Sequence, residues 1–220
     1  FDRAKHHYSM AIGLNASKPT YRLHLARVHL QLNQLDDARD LIFEALNLDS
    51  SLHTAYGLLA DVYLKQNKTQ LALTQIQRAI DHTQSGTRQI LVHYIRKKAF
   101  VLRRANRPGD ALAVLQNLHP DEQTEPLVIE DMALCWSMTG QFDKAAEQYD
   151  HALADNLTDS LLLIGAARWH IKAGHHQIAR KLVGRLQYHD PSNPAIPKLL
   201  SQDEIEISDQ PLADVPGDPF

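Results

Sequence analysis

Several common signatures of function are absent from this chain. It has a single cysteine, Cys135, among 220 residues. No intramolecular disulfide is available to it, which excludes a disulfide scaffold and fixes no compartment. Its longest apolar run, near Leu161 to Ala167, is far too short to span a bilayer. Net charge is only −3, so bulk charge favours neither nucleic acid nor an anionic membrane as a partner. There is no glycine-rich phosphate loop, no nucleophile motif and no convincing pair of carboxylates. Thirteen histidines invite a metal reading. The adjacent pairs His6/His7 and His175/His176 point about 100° apart on a helix, a poor chelating geometry. No i, i+4 histidine pair or mixed Cys/His spacing occurs, so no metal and no cofactor is expected. Solvated or packed histidines are the simpler reading, and Cys135 beside Trp136 reads as a small core residue.

What the chain does have is a period. One alanine column runs through Ala4, Ala38, Ala72, Ala111, Ala145 and Ala179, with steps of 34, 34, 39, 34 and 34 residues. A second column, Ala26, Ala60, Ala99, Ala133 and Ala167, lies 12 residues ahead of it. A helical period in the thirties marks a stacked repeat array, in which each unit packs only on its neighbours. Helices approach closely only where side chains are small, so the two columns predict the contact line inside each hairpin.

Residues 1–18 read as the second helix of a truncated repeat. Phe1, Asp2, Arg3, Ala4 and Tyr8 return as Phe142, Asp143, Lys144, Ala145 and Tyr149. Five full units follow, at 19–52, 53–86, 87–125, 126–159 and 160–193. Each splits into two helical patterns around Asn33, Asn67, Asn106, Gly140 or Gly174, residues that tolerate the left-handed conformation ending a helix. The third unit is five residues longer than the others. The excess falls near Gln84–Leu91 and predicts a longer loop or an extra helical turn, ordinarily a tolerated surface feature. Residues 194–202 allow a short capping helix. Residues 203–220 carry six acids and no base and read as a disordered acidic tail or linker.

These features resemble the tetratricopeptide repeat family. The resemblance rests on the 34-residue period, the two small columns, the turn Asn or Gly, and the large first-helix residues Tyr56, Tyr63 and Trp136. Only Pro191, after Asp190, closes a unit in the family's manner. His29 and His170 stand where a large residue is usual, and Leu118 and Leu186 where Ala45, Ala79 and Ala152 hold a small one. The resemblance implies an all-α solenoid of stacked antiparallel helix pairs wound as a right-handed superhelix, with first helices lining a concave groove.

Groove positions, so assigned, include Arg27; Gly57 and Asp61; His93, Arg96, Lys97, Phe100, Arg103 and Arg104; Glu130, Asp131, Leu134 and Met138; and Arg168. From Arg88 to Arg107 there are seven bases and no acid. An average charge run is a solvated face. A single-signed concave face instead focuses potential, and guanidinium groups pair bidentately with carboxylates or phosphates. The expected role is a non-catalytic scaffold binding a peptide segment, the basic helix favouring an acidic one. Arg96, Lys97, Arg103 and Arg104 supply charge, with Arg27, His93 and Arg168 beside them; Phe100, Leu134 and Met138 supply apolar contact. The rival expectation is a repeat domain excised from a larger enzyme, such as a transferase, whose catalytic part lies elsewhere. RNA binding needs a basic stripe over several units, which Glu130 and Asp131 interrupt. Without the tail the array is about +3, and the tail is about −6. That split suggests a tail-in-groove contact in cis or from a second copy. The apolar edge at Tyr8, Ile12 and Leu14 leaves homo-oligomerisation open. Cytoplasmic and periplasmic settings are equally compatible.

Overall fold

The structure is a computed structural model that describes residues 1–83 and 87–201. Among the described residues it contains thirteen α-helices and no strand. They are α1 (Asp2–Leu14), α2 (Pro19–Gln31), α3 (Leu35–Leu48), α4 (His53–Lys65), α5 (Thr69–Asp81), α6 (Arg88–Arg104), α7 (Pro108–Gln116), α8 (Pro120–Gln123), α9 (Pro126–Ser137), α10 (Phe142–Asp155), α11 (Ser160–Lys172), α12 (His176–His189) and α13 (Ala195–Ser201). The chain forms two compact units, Phe1–Val114 and Leu115–Phe220.

Apart from Ala4, which is half-buried on α1, both alanine columns are at the centre of the packing. Ala26, Ala38, Ala60, Ala72, Ala99, Ala111, Ala133, Ala145, Ala167 and Ala179 are each at most 1% exposed. A methyl is the largest group these contacts admit without separating the helices. Larger side chains close the space around them. In the first unit these include Ile42, Leu59 and Ile76; in the second, Ile129, Met132, Leu163, Trp169 and Leu186. Each of α2 to α6 packs on its predecessor, and α2 also touches α4. In the second unit α9, α10, α11 and α12 pack in succession, α9 touches α11, and α13 lies against α11 and α12.

The five hairpin turns share one geometry. Asn33, Asn67 and Asn106 have φ of 59°, 57° and 56°, and Gly140 and Gly174 have 73° and 80°. Each left-handed residue donates its N–H to a carbonyl three back. The next residue donates to one five back: Gln34 to His29, Lys68 to Tyr63, Arg107 to Leu102, Gln141 to Trp136 and His175 to His170. That is the Schellman pattern, which satisfies the last carbonyls of the first helix as the chain reverses. Helix starts are marked differently. Proline opens α2, α8 and α9, where its missing N–H costs nothing. Asp159 caps α11 by accepting from the Leu162 N–H at 2.9 Å.

Three departures from the regular repeat have local causes. First, α6 runs for 17 residues where α2, α4 and α11 run for 13. The insertion therefore adds about one helical turn at its start, and residues 84–86 lie outside the described residues. Second, α7 stops at Gln116, and the single turn α8 follows. There the His119 ring accepts from the Asp121 N–H, and the Glu122 carboxylate accepts from the His119 N–H at 2.9 Å. Third, the two histidines at large-residue positions each meet an aspartate. His29 Nδ1 lies 3.3 Å from Asp37. His170, only 3% exposed, places Nε2 3.0 Å from both Asp150 oxygens and Nδ1 3.1 Å from Nδ1 of His175. A buried imidazole is tolerated there because both its nitrogens find partners.

Candidate peptide-binding surface

In the first unit the site is built on α6. Residues 93, 97, 100 and 104 recur at helical spacing along one face. His93, Phe100 and Arg104 are exposed, and Arg96, Lys97 and Arg103 are half-buried. The Arg104 guanidinium sits 5.9 Å from the centroid of the Phe100 ring. Phe100 keeps 44% of its surface exposed, a flat apolar platform beneath a cation. Arg27 is exposed on α2.

Lys97 makes contacts within the fold. Its ammonium lies 2.7 Å from an Asp61 carboxylate oxygen and donates to the Gly57 carbonyl at 2.9 Å. It clamps α6 to α4, and its charge is neutralised there. Beside it Tyr94 is buried against Gly57, its hydroxyl donating to the His53 carbonyl at 3.1 Å. A Cβ at position 57 would fall 2.8 Å from the Tyr94 ring, so only glycine seats it without displacement. Burial raises the Tyr94 phenol above its usual range, with Arg27 opposing and Asp61 assisting. Burial lowers His53 from its usual 6.5. His93 is lowered too, first by desolvation and then by Lys97 and Arg96, with Asp61 opposing. Both shifts favour the neutral imidazole, which lowers the charge that His93 adds to the face.

The second unit holds Leu134, Met138 and Arg168. Leu134 is half-buried, and Met138 is exposed at the end of α9. Arg168 serves as a clamp. Its guanidinium donates to both Glu130 oxygens at 2.5 Å and ties α11 to α9. Glu130 also accepts from the Tyr149 hydroxyl at 2.5 Å and from the Trp169 indole at 3.4 Å. Lys172 stacks 4.5 Å from the Trp169 ring. Tyr149 sits against Gly165, where a Cβ would lie 2.1 Å from its ring. Burial, then the Glu130 bond, raise its phenol far above the usual value. Asp131, placed in the groove by the sequence, is buried at 7% exposure. A neighbour of Glu130 on a helix is rotated about 100° from it, which turns Asp131 into the packing.

Arg27, His93, Arg96, Lys97, Phe100, Arg103 and Arg104 belong to the first unit, and Leu134, Met138 and Arg168 to the second. The sequence reading missed the tyrosine seats. Their visible signal was a glycine inside each helix, at 57 and 165, where glycine costs about 1 kcal/mol against alanine.

Comparison with known proteins agrees with this architecture. A family model described as the N-terminal TPR repeats region of Psidin matches residues 54–196, and a tetratricopeptide repeat model matches residues 1–51. The chain belongs to the tetratricopeptide repeat family. No curated protein matches it. Among solved structures it is similar to YrrB, described as a TPR protein with an unusual peptide-binding site. That match has a TM-score of 0.56 and 18% identity, over 88% of this chain and 97% of that one. The C-terminal part of a TPR repeat-containing protein from Cytophaga hutchinsonii gives 0.70 at 14% identity, over 90% and 78%. PilF of Pseudomonas aeruginosa gives 0.56 at 18% identity, over 91% and 84%. At these identities the likeness is one of fold. Tetratricopeptide repeats are typically non-catalytic scaffolds that bind protein or peptide partners. Among the described residues no helix is long and apolar enough to cross a membrane.

Proposed function

We propose that this tetratricopeptide repeat protein is an interaction scaffold whose first unit holds an acidic peptide segment on the exposed face of α6. The observation that carries this is the pairing of Arg104 with an exposed Phe100, on a helix whose stretch from Arg88 to Arg107 contains seven bases and no acid. A peptide carboxylate meets the guanidinium, and an apolar neighbour of it covers the ring. His93 extends the same face by two turns. Lys97 and Asp61 take no direct part; they fix α6 against α4, which preorganises the face and limits the entropy lost on binding.

The test is fluorescence anisotropy of a labelled glutamate- and leucine-bearing peptide with the full chain. Phe100→Ala is expected to weaken binding about fivefold, in line with the loss of about 1 kcal/mol for such a contact, and Arg104→Glu at least tenfold, because the reversal adds repulsion to the lost pairing. Affinity is expected to fall steeply with salt. Unchanged affinity in both variants, with unchanged circular dichroism, overturns the assignment. Tighter binding of single-stranded RNA than of the peptide, sensitive to the same substitutions, overturns the partner class.

A further inference from the structure

The opposite side of α6 carries a feature that the peptide face does not use. Lys98 and Leu102 lie about 180° around the helix from Phe100 and Arg104. There a cleft of about 480 Å3 opens between α5 and α6. Leu73 and Leu102, both buried, form an apolar wall. Arg78, Lys98 and Arg107 line it with cations, and Asp81 is the one acid among its lining residues.

How each cation is held decides what the cleft fits. Arg107 is paired with Asp110 at 2.6 Å. Arg78 rests over the Tyr56 ring, 5.9 Å from its centroid, a contact that leaves its charge in place. Lys98 is half-buried and donates to the Gln77 carbonyl oxygen at 2.8 Å. The Gln77 amide nitrogen in turn donates to Asp81 at 2.8 Å, which fixes the carbonyl end toward Lys98. An amide therefore orients the ammonium without cancelling it. The adjacent residue shows the contrast: Lys97 meets the Asp61 carboxylate directly. An oriented, half-buried ammonium with donors to spare, beside a stacked guanidinium and an apolar wall, matches an anion that carries an apolar portion.

We propose that this cleft is a second binding site, distinct from the peptide face, for a small phosphate- or carboxylate-bearing ligand. Its head group sits between Lys98 and Arg78, and its apolar part lies on Leu73 and Leu102. The cleft is shallow and open to solvent, so the ligand is held by the two cations and one apolar contact rather than enclosed.

The experiment is a nuclear magnetic resonance titration of the full chain with inorganic phosphate, phenyl phosphate and hexanoate. Saturable shifts are expected at the amides of Leu73, Gln77, Lys98 and Leu102. Phenyl phosphate should bind more tightly than inorganic phosphate, and equal affinity overturns the apolar contact with Leu73 and Leu102. Comparing phenyl phosphate with hexanoate identifies the preferred head group. Lys98→Gln should weaken the better ligand at least fivefold, and Lys98→Arg should retain it. Shifts that never saturate, shifts away from these residues, or equal affinity in Lys98→Gln overturn the proposal. The peptide face stands or falls separately, since its variants lie on the other side of the helix.

Discussion

At the scale of single residues, two glycines matter because of what leans on them. Gly165 seats the Tyr149 ring, whose hydroxyl is anchored to Glu130, so the ring has nowhere to retreat. A Cβ 2.1 Å from that ring demands a backbone shift. Gly165→Ala is expected to cost about 2–3 kcal/mol by overpacking. Gly57→Ala meets Tyr94 at 2.8 Å, a milder intrusion that the gain in helix propensity of about 1 kcal/mol largely offsets. Gly13→Ala meets nothing within 4 Å and should gain about 0.5–1 kcal/mol. Urea midpoints of the three variants give the order, and a Gly165→Ala protein as stable as the parent would remove the seat as an explanation.

His93 supplies the other residue-scale consequence. Its folded pKa lies below 6.5 because desolvation and then Lys97 and Arg96 disfavour the cation. A depressed value means a contribution to stability that is present above the unfolded pKa and is lost as pH falls through the folded one. Binding has the opposite sign. A peptide carboxylate beside the ring favours its charged form, so affinity for the acidic peptide should rise as pH falls from 7 to about 5.5, where glutamates stay ionised. His93→Gln should flatten that rise; anisotropy across the pH range reads both proteins, and a flat profile in the parent sinks the idea.

At the scale of elements, the first helices are stapled to one another by ion pairs, Asp61 to Lys97 in the first unit and Glu130 to Arg168 in the second. Both pairs are partly solvated, so each is worth less than a buried bridge. Glu130 does more than pair, since Tyr149 and Trp169 also donate to it. Glu130→Gln is expected to cost about 1–2 kcal/mol, because Arg168 then faces a neutral amide. It should also bring the Tyr149 ionisation down toward the ordinary phenol range, although burial, the larger cause, holds it above. Absorbance at alkaline pH reports that ionisation. No change in it would mean that the short hydrogen bond contributes nothing.

These staples mark where sequence stops being legible. The turns were readable because a positive φ admits few residue types, and Asn33, Asn67, Asn106, Gly140 and Gly174 are the types it admits. The alanine columns were readable because close helix contact selects small side chains at a fixed period. The roles of Lys97 and Arg168 were not. A long cation on a first helix reaches either the groove or the neighbouring helix, and the choice rests on a carboxylate 36 or 38 positions away. Period alone does not pair them. Nor does it reveal α8, a single turn capped by histidine where serine or threonine is usual.

At the scale of the whole molecule, charge is distributed against itself. The chain is −3, yet its last eighteen residues carry six acids and no base, which leaves about +3 on the rest. Those residues lie outside the described part of the structure, and their effect on binding follows from charge alone. An acidic peptide approaching α6 meets the attraction of the basic face and the repulsion of the tail. Removing residues 203–220 reverses the sign of the net charge. Steering rates scale with such potentials and fade within a Debye length of about 8 Å at physiological salt. The truncated chain should therefore bind the acidic peptide severalfold more tightly at 20 mM salt, mostly through a faster association rate. At 500 mM salt the two proteins should converge. Convergence separates a long-range field from a tail seated on the face, because a seated tail with apolar contacts would go on competing at high salt. Equal affinities at low salt would show that neither operates, and that the peptide senses only the side chains it touches.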